Sequence, residues 1–217
     1  CNAALSACEK CGQWELALEL LHYAGYCQLQ ADGITYSAAI SACGACGRWQ
    51  RAVALLGELR TERLEEDVVA CNAVISACEK SGLWELALTV LQEMRRRGLL
   101  PTEVSYGSAM GACAQGKEAE RALALLGEAR RRGVPLNVVI FSAALSACEK
   151  GSQWLSALAL LACMPQLRVK PDIVSCNAAL STLEKAGQWQ IALSFLGSMR
   201  QRNIDDDVIS CNAALSA

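Results

Sequence analysis

The chain has 217 residues and a formal net charge of −2, with 53% hydrophobic and 19% charged residues. This excludes an intrinsically disordered tail and a uniformly basic nucleic-acid coat, though not a local basic track. The longest apolar run, Ala157 to Met164, is eight residues, well short of the roughly 20 that span a bilayer, and no charged-then-apolar leader is visible.

The heptamer CNAALSA at residues 1–7 recurs at 211–217, 210 residues later, which is six spacings of 35. Stacked at that period the chain has no gaps. It divides into a partial unit at 1–32, complete units at 33–67, 68–102, 103–137, 138–172 and 173–207, and a partial unit at 208–217. Positions within a unit are numbered from Gly33, Val68, Glu103, Val138, Ile173 and Val208. Both ends cut through a unit, so the sequence reads as a window of a longer array.

Each unit predicts two helices. In the first, positions 4, 7, 8 and 11 are apolar, as in Cys71, Val74, Ile75 and Cys78, a spacing that places them on one face. In the second, positions 17, 20, 21, 24 and 27 are apolar: Trp84, Ala87, Leu88, Leu91 and Met94. Position 20 is alanine in all six units, which favours close helix approach, and position 24 is leucine in all six. Tryptophan occupies position 17 as Trp14, Trp49, Trp84, Trp154 and Trp189, predicting a ladder of core indoles. Gly12, Gly47, Gly82 and Gly187 fall between the helices and Gly98 and Gly133 after the second, where left-handed helix ends are expected. Arg95–Arg97 and Arg130–Arg132 fall near the ends of second helices, where they complement the helix dipole. A pair of this size cannot bury its apolar faces alone, so the fold predicted is all-α, an α-solenoid of stacked helix-turn-helix units with a superhelical groove.

Thirteen cysteines and one histidine give Cys8-x-x-Cys11 and Cys43-x-x-Cys46 a zinc or redox reading. Cysteine recurs on the apolar face at Cys8, Cys43, Cys78, Cys113 and Cys148, while the second member of the pair is lost in later units. Buried thiols that pack helices therefore explain the pattern better, and neither metal nor cofactor is expected. So many unpaired thiols suit a reducing compartment. No Ser-His-Asp set, phosphate-cradling loop or deaminase signature is present, so no catalytic residue is assigned.

Four polar or β-branched columns remain besides the arginines. Position 5 holds Asn2, Ser37, Asn72, Gly107, Ser142, Asn177 and Asn212, off the apolar face. Asparagine is a mediocre helix former, and its amide suits reading a base edge. Position 35 holds Asp32, Asp67, Thr102, Asn137, Asp172 and Asp207, residues that cap the following helix at about 1 kcal/mol each. Position 2 holds Ile34, Val69, Val104, Val139, Val174 and Ile209, which also fits a core edge. Position 13 adds Lys10, Lys80, Lys150 and Lys185, read either as helix-end cations or as phosphate contacts.

The segment DVVACNAVISACEKSGLWELALTVLQEMRRRGLLPT, Asp67 to Thr102, and its in-frame recurrence resemble the pentatricopeptide repeat family, in its pure 35-residue class. The resemblance covers the whole chain. It implies a right-handed superhelix that binds single-stranded RNA, one base per repeat, 5′ to 3′ from the N-terminus. Positions 5 and 35 then read each base as a pair, and position 2 wedges between successive bases. Asn2 with Asp32 implies U, Ser37 with Asp67 implies G, and Asn72 with Thr102 implies a pyrimidine. Gly107 with Asn137 departs from the common pairs and leans to A through Asn137. Ser142 with Asp172 implies G, and Asn177 with Asp207 implies U. The resulting target is 5′-UG(Y)(A)GU-3′. The fourth repeat also lacks the position-17 tryptophan, having Ala119, and is expected to be the weakest reader. A mitochondrial or plastid setting, in RNA processing, stability or translation, follows from the resemblance alone. No membrane and no small-molecule substrate is expected; a protein-interaction scaffold using the same groove is the alternative.

Overall fold

The computed structural model describes residues 2–26, 32–201 and 208–216. Regular structure among them is helical. First helices are α1 Asn2–Cys11, α3 Gly33–Ala45, α5 Val68–Ser81, α7 Glu103–Gln115, α9 Val138–Lys150, α11 Ile173–Lys185 and α13 Val208–Ser216. Second helices are α2 Trp14–Tyr26, α4 Trp49–Thr61, α6 Trp84–Arg96, α8 Ala119–Arg131, α10 Trp154–Gln166 and α12 Trp189–Gln201. From α3 to α12 every first helix begins at position 1 and every second helix at position 17, so the 35-residue register of the sequence is also that of the backbone.

The chain forms two compact units, Cys1–Ala112 and Cys113–Ala217. In the first, α1, α3 and α5 pack side by side as a layer, and α2 and α4 each pack against their own first helix and that of the next repeat. In the second, α9, α11 and α13 form such a layer, with α10 and α12 bridging consecutive members in the same way. No helix among the described residues is long and apolar enough to cross a membrane.

This bracing widens the buried stripe of the first helices. Positions 3 and 10 are buried along with 4, 7, 8 and 11, as Ala70, Cys71, Val74, Ile75, Ala77 and Cys78 in α5 and Ile140, Phe141, Ala144, Leu145, Ala147 and Cys148 in α9. The second helices bury positions 20, 23, 24 and 27, as in Ala87, Val90, Leu91 and Met94. Ala17, Ala52, Ala87, Ala122, Ala157 and Ala192 are all fully buried at 0% exposure, which fits a column where only a methyl group lets helices approach. The expected core ladder of tryptophans is not formed. Trp14, Trp49, Trp84 and Trp154 are half-buried and Trp189 is 54% exposed. Position 17 is the first residue of the second helix, at the rim of the packed face, and Trp14 there carries the Arg48 guanidinium 4.9 Å above its ring. Position 21 is likewise only partly covered, as in Leu88.

In each of the four repeats from 33 to 172, two left-handed residues shape the turns. At position 15, Gly12, Gly47, Gly82 and Gly187 have φ of 65–69°, and at position 31 Gly98 and Gly133 have φ of 79° and 73°. Where glycine is missing the conformation persists, in Lys117 and Ser152 at position 15 and Arg63 and Arg168 at position 31, with φ of 55–61°. The bond pattern is the same throughout: Leu83 N–H reaches Cys78 O at 2.9 Å, and Leu99 N–H reaches Met94 O at 3.0 Å, closing the helix end as a Schellman motif. Glu66 pins the end of α4 to α5. Arg60 donates to its two carboxylate oxygens at 2.7 and 3.0 Å, and the Cys71 thiol donates at 2.9 Å. Burial would raise the Glu66 carboxyl, but these hydrogen bonds and the charges of Arg60 and Arg97 hold it below its ordinary value.

Candidate nucleic-acid interface

Position 2, in the first turn of each first helix, faces solvent. Ile34, Val69, Val104, Val139 and Val174 are 54–68% exposed, so the core-edge reading of this column does not hold. Position 5 follows one turn later on the same helix side, and position 35 caps the first helix of the next repeat.

The capping is realised. Asp32 Oδ1 accepts the Thr35 N–H at 2.8 Å, Asp67 Oδ1 the Ala70 N–H at 2.7 Å, Asn137 Oδ1 the Ile140 N–H at 3.0 Å and Asp172 Oδ1 the Ser175 N–H at 2.9 Å. Asp32 Oδ1 and Asp172 Oδ1 also accept the hydroxyls of Thr35 and Ser175, both at 2.6 Å. In Asp67 and Asp172 one oxygen carries these bonds. A carboxylate offers about four acceptor sites over two oxygens, so capping leaves the other oxygen able to serve a ligand.

Two of the expected pairs are hydrogen-bonded. The Ser37 hydroxyl donates to Asp67 Oδ1 at 3.1 Å, and Asn72 Nδ2 donates to Thr102 Oγ1 at 3.4 Å. Ser37 is only 5% exposed, so Asp67 is the more accessible member. Thr102 is capped differently, its own N–H donating to Ser105 Oγ at 3.0 Å. Gly107 has no side chain, and a Cβ placed there would meet nothing within 4 Å. Asn212 is exposed on α13. Asp207 lies outside the described residues, as do the side chains of Asn2 and Ile209.

Between α9 and α11 an open cleft of about 450 Å³ gathers Ser142, Val174 and Asn177 from positions 5 and 2, together with Ser146, Ser181 and Glu149. The last three belong to columns that helical periodicity and base-reading chemistry do not single out. Position 9 is serine in Ser6, Ser41, Ser76, Ser146, Ser181 and Ser216, and position 12 is glutamate in Glu9, Glu79, Glu149 and Glu184; this recurrence is the signal that marks them. Glu149 Oε1 accepts the Ser181 hydroxyl at 2.8 Å and the Lys185 ammonium at 3.0 Å. Glu79 occupies the corresponding space over Gly111, where any side chain would collide with its carboxylate. Burial pushes the Glu79 carboxyl up, opposed by the Ser108 hydroxyl and the Lys80 charge.

The position-13 lysines reach back one repeat. Lys80 Nζ donates to the carbonyls of Gly44 and Ala45 at 3.3 and 2.5 Å, closing the end of α3; Lys150 Nζ donates to Gln115 Oε1 at 2.6 Å, and Lys185 to Glu149. Lys10 is exposed in the last turn of α1. The arginines also have local partners: Arg95 Nε donates to Leu91 O at 3.1 Å, Arg97 to Glu93 at 2.9 Å and Arg132 to Glu128 at 2.7 Å.

Cys8, Cys43, Cys78, Cys113 and Cys148 are buried. Burial pushes the thiols of Cys43, Cys78, Cys113 and Cys148 up to about 11, the Cys46 charge adding to it at Cys43, as packing residues require. Among the described residues no cluster suited to a metal ion forms.

Family profiles match along the chain: the PPR repeat at residues 1–23, 34–64 and 104–134, the PPR repeat family at 66–115, and the pentatricopeptide repeat domain at 124–185 and 159–217. No curated protein sequence matches significantly. Among solved structures, the pentatricopeptide repeat protein PPR10 from maize is 27% identical over 100% of this chain, with a TM-score of 0.72. PPR10 in complex with an 18-nt psaJ RNA element is 30% identical over 99%, with a TM-score of 0.80. In both cases the chain spans 31% of the PPR10 chain. The PPR domain of Arabidopsis thaliana protein-only RNase P 1, solved with tRNA, shares the fold at 14% identity, with a TM-score of 0.68 over 80% of this chain and 91% of that one. With repeat profiles along its length and this likeness in fold, the chain belongs to the pentatricopeptide repeat family.

Proposed function

We propose that the chain is a sequence-selective single-stranded RNA-binding module that reads one base per repeat. The observation that carries this is the pairing of a solvent-facing β-branched residue at position 2 with a polar pair at positions 5 and 35. Exposing five such apolar side chains has no packing benefit, and a base inserted between consecutive members would cover them. The polar pair beside them offers donors and acceptors at one base edge. The RNA held by PPR10 in its complex supports the same class of ligand here.

The repeat units serve as the recognition units, at 1–32, 33–67, 68–102, 103–137, 138–172 and 173–207, with 208–217 beginning another. The proposed target is 5′-UG(Y)(A)GU-3′, acted on in a mitochondrion or plastid during RNA processing, stabilisation or translation. Since Lys80, Lys150 and Lys185 all have protein partners, affinity comes chiefly from base contacts and from those lysines exchanging partners for phosphate. Binding is therefore modest and salt-dependent. The test is a labelled UGCAGU oligomer against a scrambled one, with parent chain and Asn177→Ala. Preference for UGCAGU that declines in the variant supports the reading; equal affinities unchanged by the substitution sink it, and retention of a peptide without RNA points to a protein scaffold.

A further inference from the structure

The Asn72–Thr102 pair has a third member. Ser105, at position 3 of α7 and 0% exposed, lies one turn beyond Thr102. Its hydroxyl donates to Asn72 Oδ1 at 2.5 Å and accepts the Thr102 N–H at 3.0 Å. The short distance fits O–H···O and falls below the usual N–H···O range, so the amide oxygen faces Ser105. The Thr102 N–H can only donate, and Thr102 Oγ1 lies 3.3 Å from Ser105 Oγ, much farther than Asn72 Oδ1 at 2.5 Å, so the single Ser105 proton goes to Asn72 and the Thr102 hydroxyl is left to donate to Ser105. Asn72 Nδ2 then leans on Thr102 Oγ1 at 3.4 Å. With its oxygen held by a buried hydroxyl, the amide has an N–H left to offer a ligand.

The described caps at Asp32, Asp67 and Asp172 are built differently. In the Asp32 and Asp172 caps, the position-3 hydroxyls of Thr35 and Ser175 serve the position-35 carboxylate. Beside Asp67 position 3 is Ala70, which has no hydroxyl.

We propose that Ser105 is a positioning residue that sets the base preference of the 68–102 repeat, fixing Asn72 as a hydrogen-bond donor and thereby selecting cytosine over uracil. This rests on the RNA reading above. Cytosine presents acceptors at N3 and O2. Uracil presents a donor at N3, and an N–H aimed at the middle of its edge meets another N–H. One hydrogen bond gained against one left unmade corresponds to roughly three- to tenfold in affinity.

The test compares UGCAGU with UGUAGU, differing only at the third base, for the parent, Ser105→Ala and Ser105→Thr. UACAGU monitors the second base, assigned to Ser37 and Asp67. The parent is expected to favour cytosine at least threefold. Ser105→Ala is expected to bring the two pyrimidines within twofold while keeping discrimination at the second base. Ser105→Thr is expected to restore the preference, since Thr35 occupies the same position, 4% exposed. A Ser105→Ala chain that keeps the parent ratio, or that loses discrimination equally at both bases, overturns the proposal. If circular dichroism shows that chain unfolded, Asn72→Asp decides: it puts a carboxylate oxygen in place of the donor and is expected to reverse the preference to uracil, and no reversal overturns the proposal. A parent that binds RNA without sequence choice overturns the base-reading function itself, a failure distinct from the others.

Discussion

The Ser37 hydroxyl donates to Asp67 Oδ1 across 3.1 Å, tying position 5 of one repeat to the residue that caps α5 in the next. One side chain thus ends a loop, starts a helix and forms half of a proposed reading pair. Asp67→Ala should cost about 1 kcal/mol through the lost cap and abolish selectivity at the second base. Asp67→Asn keeps an amide oxygen for the cap; its denaturant midpoint should stay near the parent's while preference moves from G toward A. Denaturant titration and competition binding separate the two effects.

The fourth repeat invites repair. Gly107 has open space where a Cβ would sit and lies within a helix, where glycine costs roughly 0.5–1 kcal/mol against alanine. Gly107→Ser should raise stability by a few tenths of a kcal/mol or more and, on the proposed reading, sharpen discrimination at the fourth base. Unchanged base preference at that position, measured by competition, would count against the pairing of positions 5 and 35.

Lys117 is exposed and left-handed, with φ of 61°. Left-handed backbone costs L-residues about 1 kcal/mol or more, partly offset by the extra unfolded-state freedom of glycine. Lys117→Gly is therefore expected to stabilise by about 0.5 kcal/mol, and Gly82→Ala, φ 69° in the parent, to destabilise by about 1 kcal/mol. Urea titrations with unchanged m check both.

Glu149 holds Lys185 at 3.0 Å, with the two side chains 28% and 45% exposed. The pair is worth about 1 kcal/mol at most to stability, but it occupies a cation beside the α9–α11 cleft. Glu149→Gln should tighten RNA binding about two- to fivefold at low salt and steepen the salt dependence by about one phosphate contact. Lys185→Met in the Glu149→Gln background should cancel the gain. An unaltered salt slope would show that Lys185 does not meet phosphate.

The buried thiols predict a pH profile. Folding raises Cys43, Cys78, Cys113 and Cys148 from 9.0 to about 11. The folded chain then binds these protons more tightly than the unfolded one. Their stabilising contribution is complete below pH 9 and is lost as pH rises through about 11. At pH 8, alkylation followed by mass spectrometry should mark the exposed Cys11 and Cys163 well before the buried four.

Register and element type were legible because position 20 alanine, position 24 leucine and the turn glycines recur without slippage. Burial was legible only in part. The 4, 7, 8, 11 pattern marks one face, whereas positions 3 and 10 are buried because first helices are braced by neighbouring first helices, which single-helix periodicity does not encode. Tryptophan misled for a related reason: hydrophobicity suggested the core, but position 17 begins a helix at the rim. Arg63, Lys117, Ser152 and Arg168 adopt glycine's conformation without glycine's signature. The role of Ser105 was invisible because it depends on a distance between residues 33 apart in sequence, Asn72 and Ser105.

The bridging of α2 and α4, and of α10 and α12, between their own first helix and the following one has a consequence for heredity. Each of these helix pairs receives from its predecessor the kind of surface it presents to its successor. Excising residues 33–67 would place Asp32 directly before Val68, where it meets the helix start that Asp67 now caps. On the proposed reading of one base per repeat, a loss or gain of thirty-five codons therefore edits the length of the message by one letter, whereas a loss of thirty-four leaves one unit a residue too long at the junction. Unequal recombination between repeats that share one 35-residue register is thus a route by which such a chain can change the length of its proposed RNA target without passing through an unfolded ancestor.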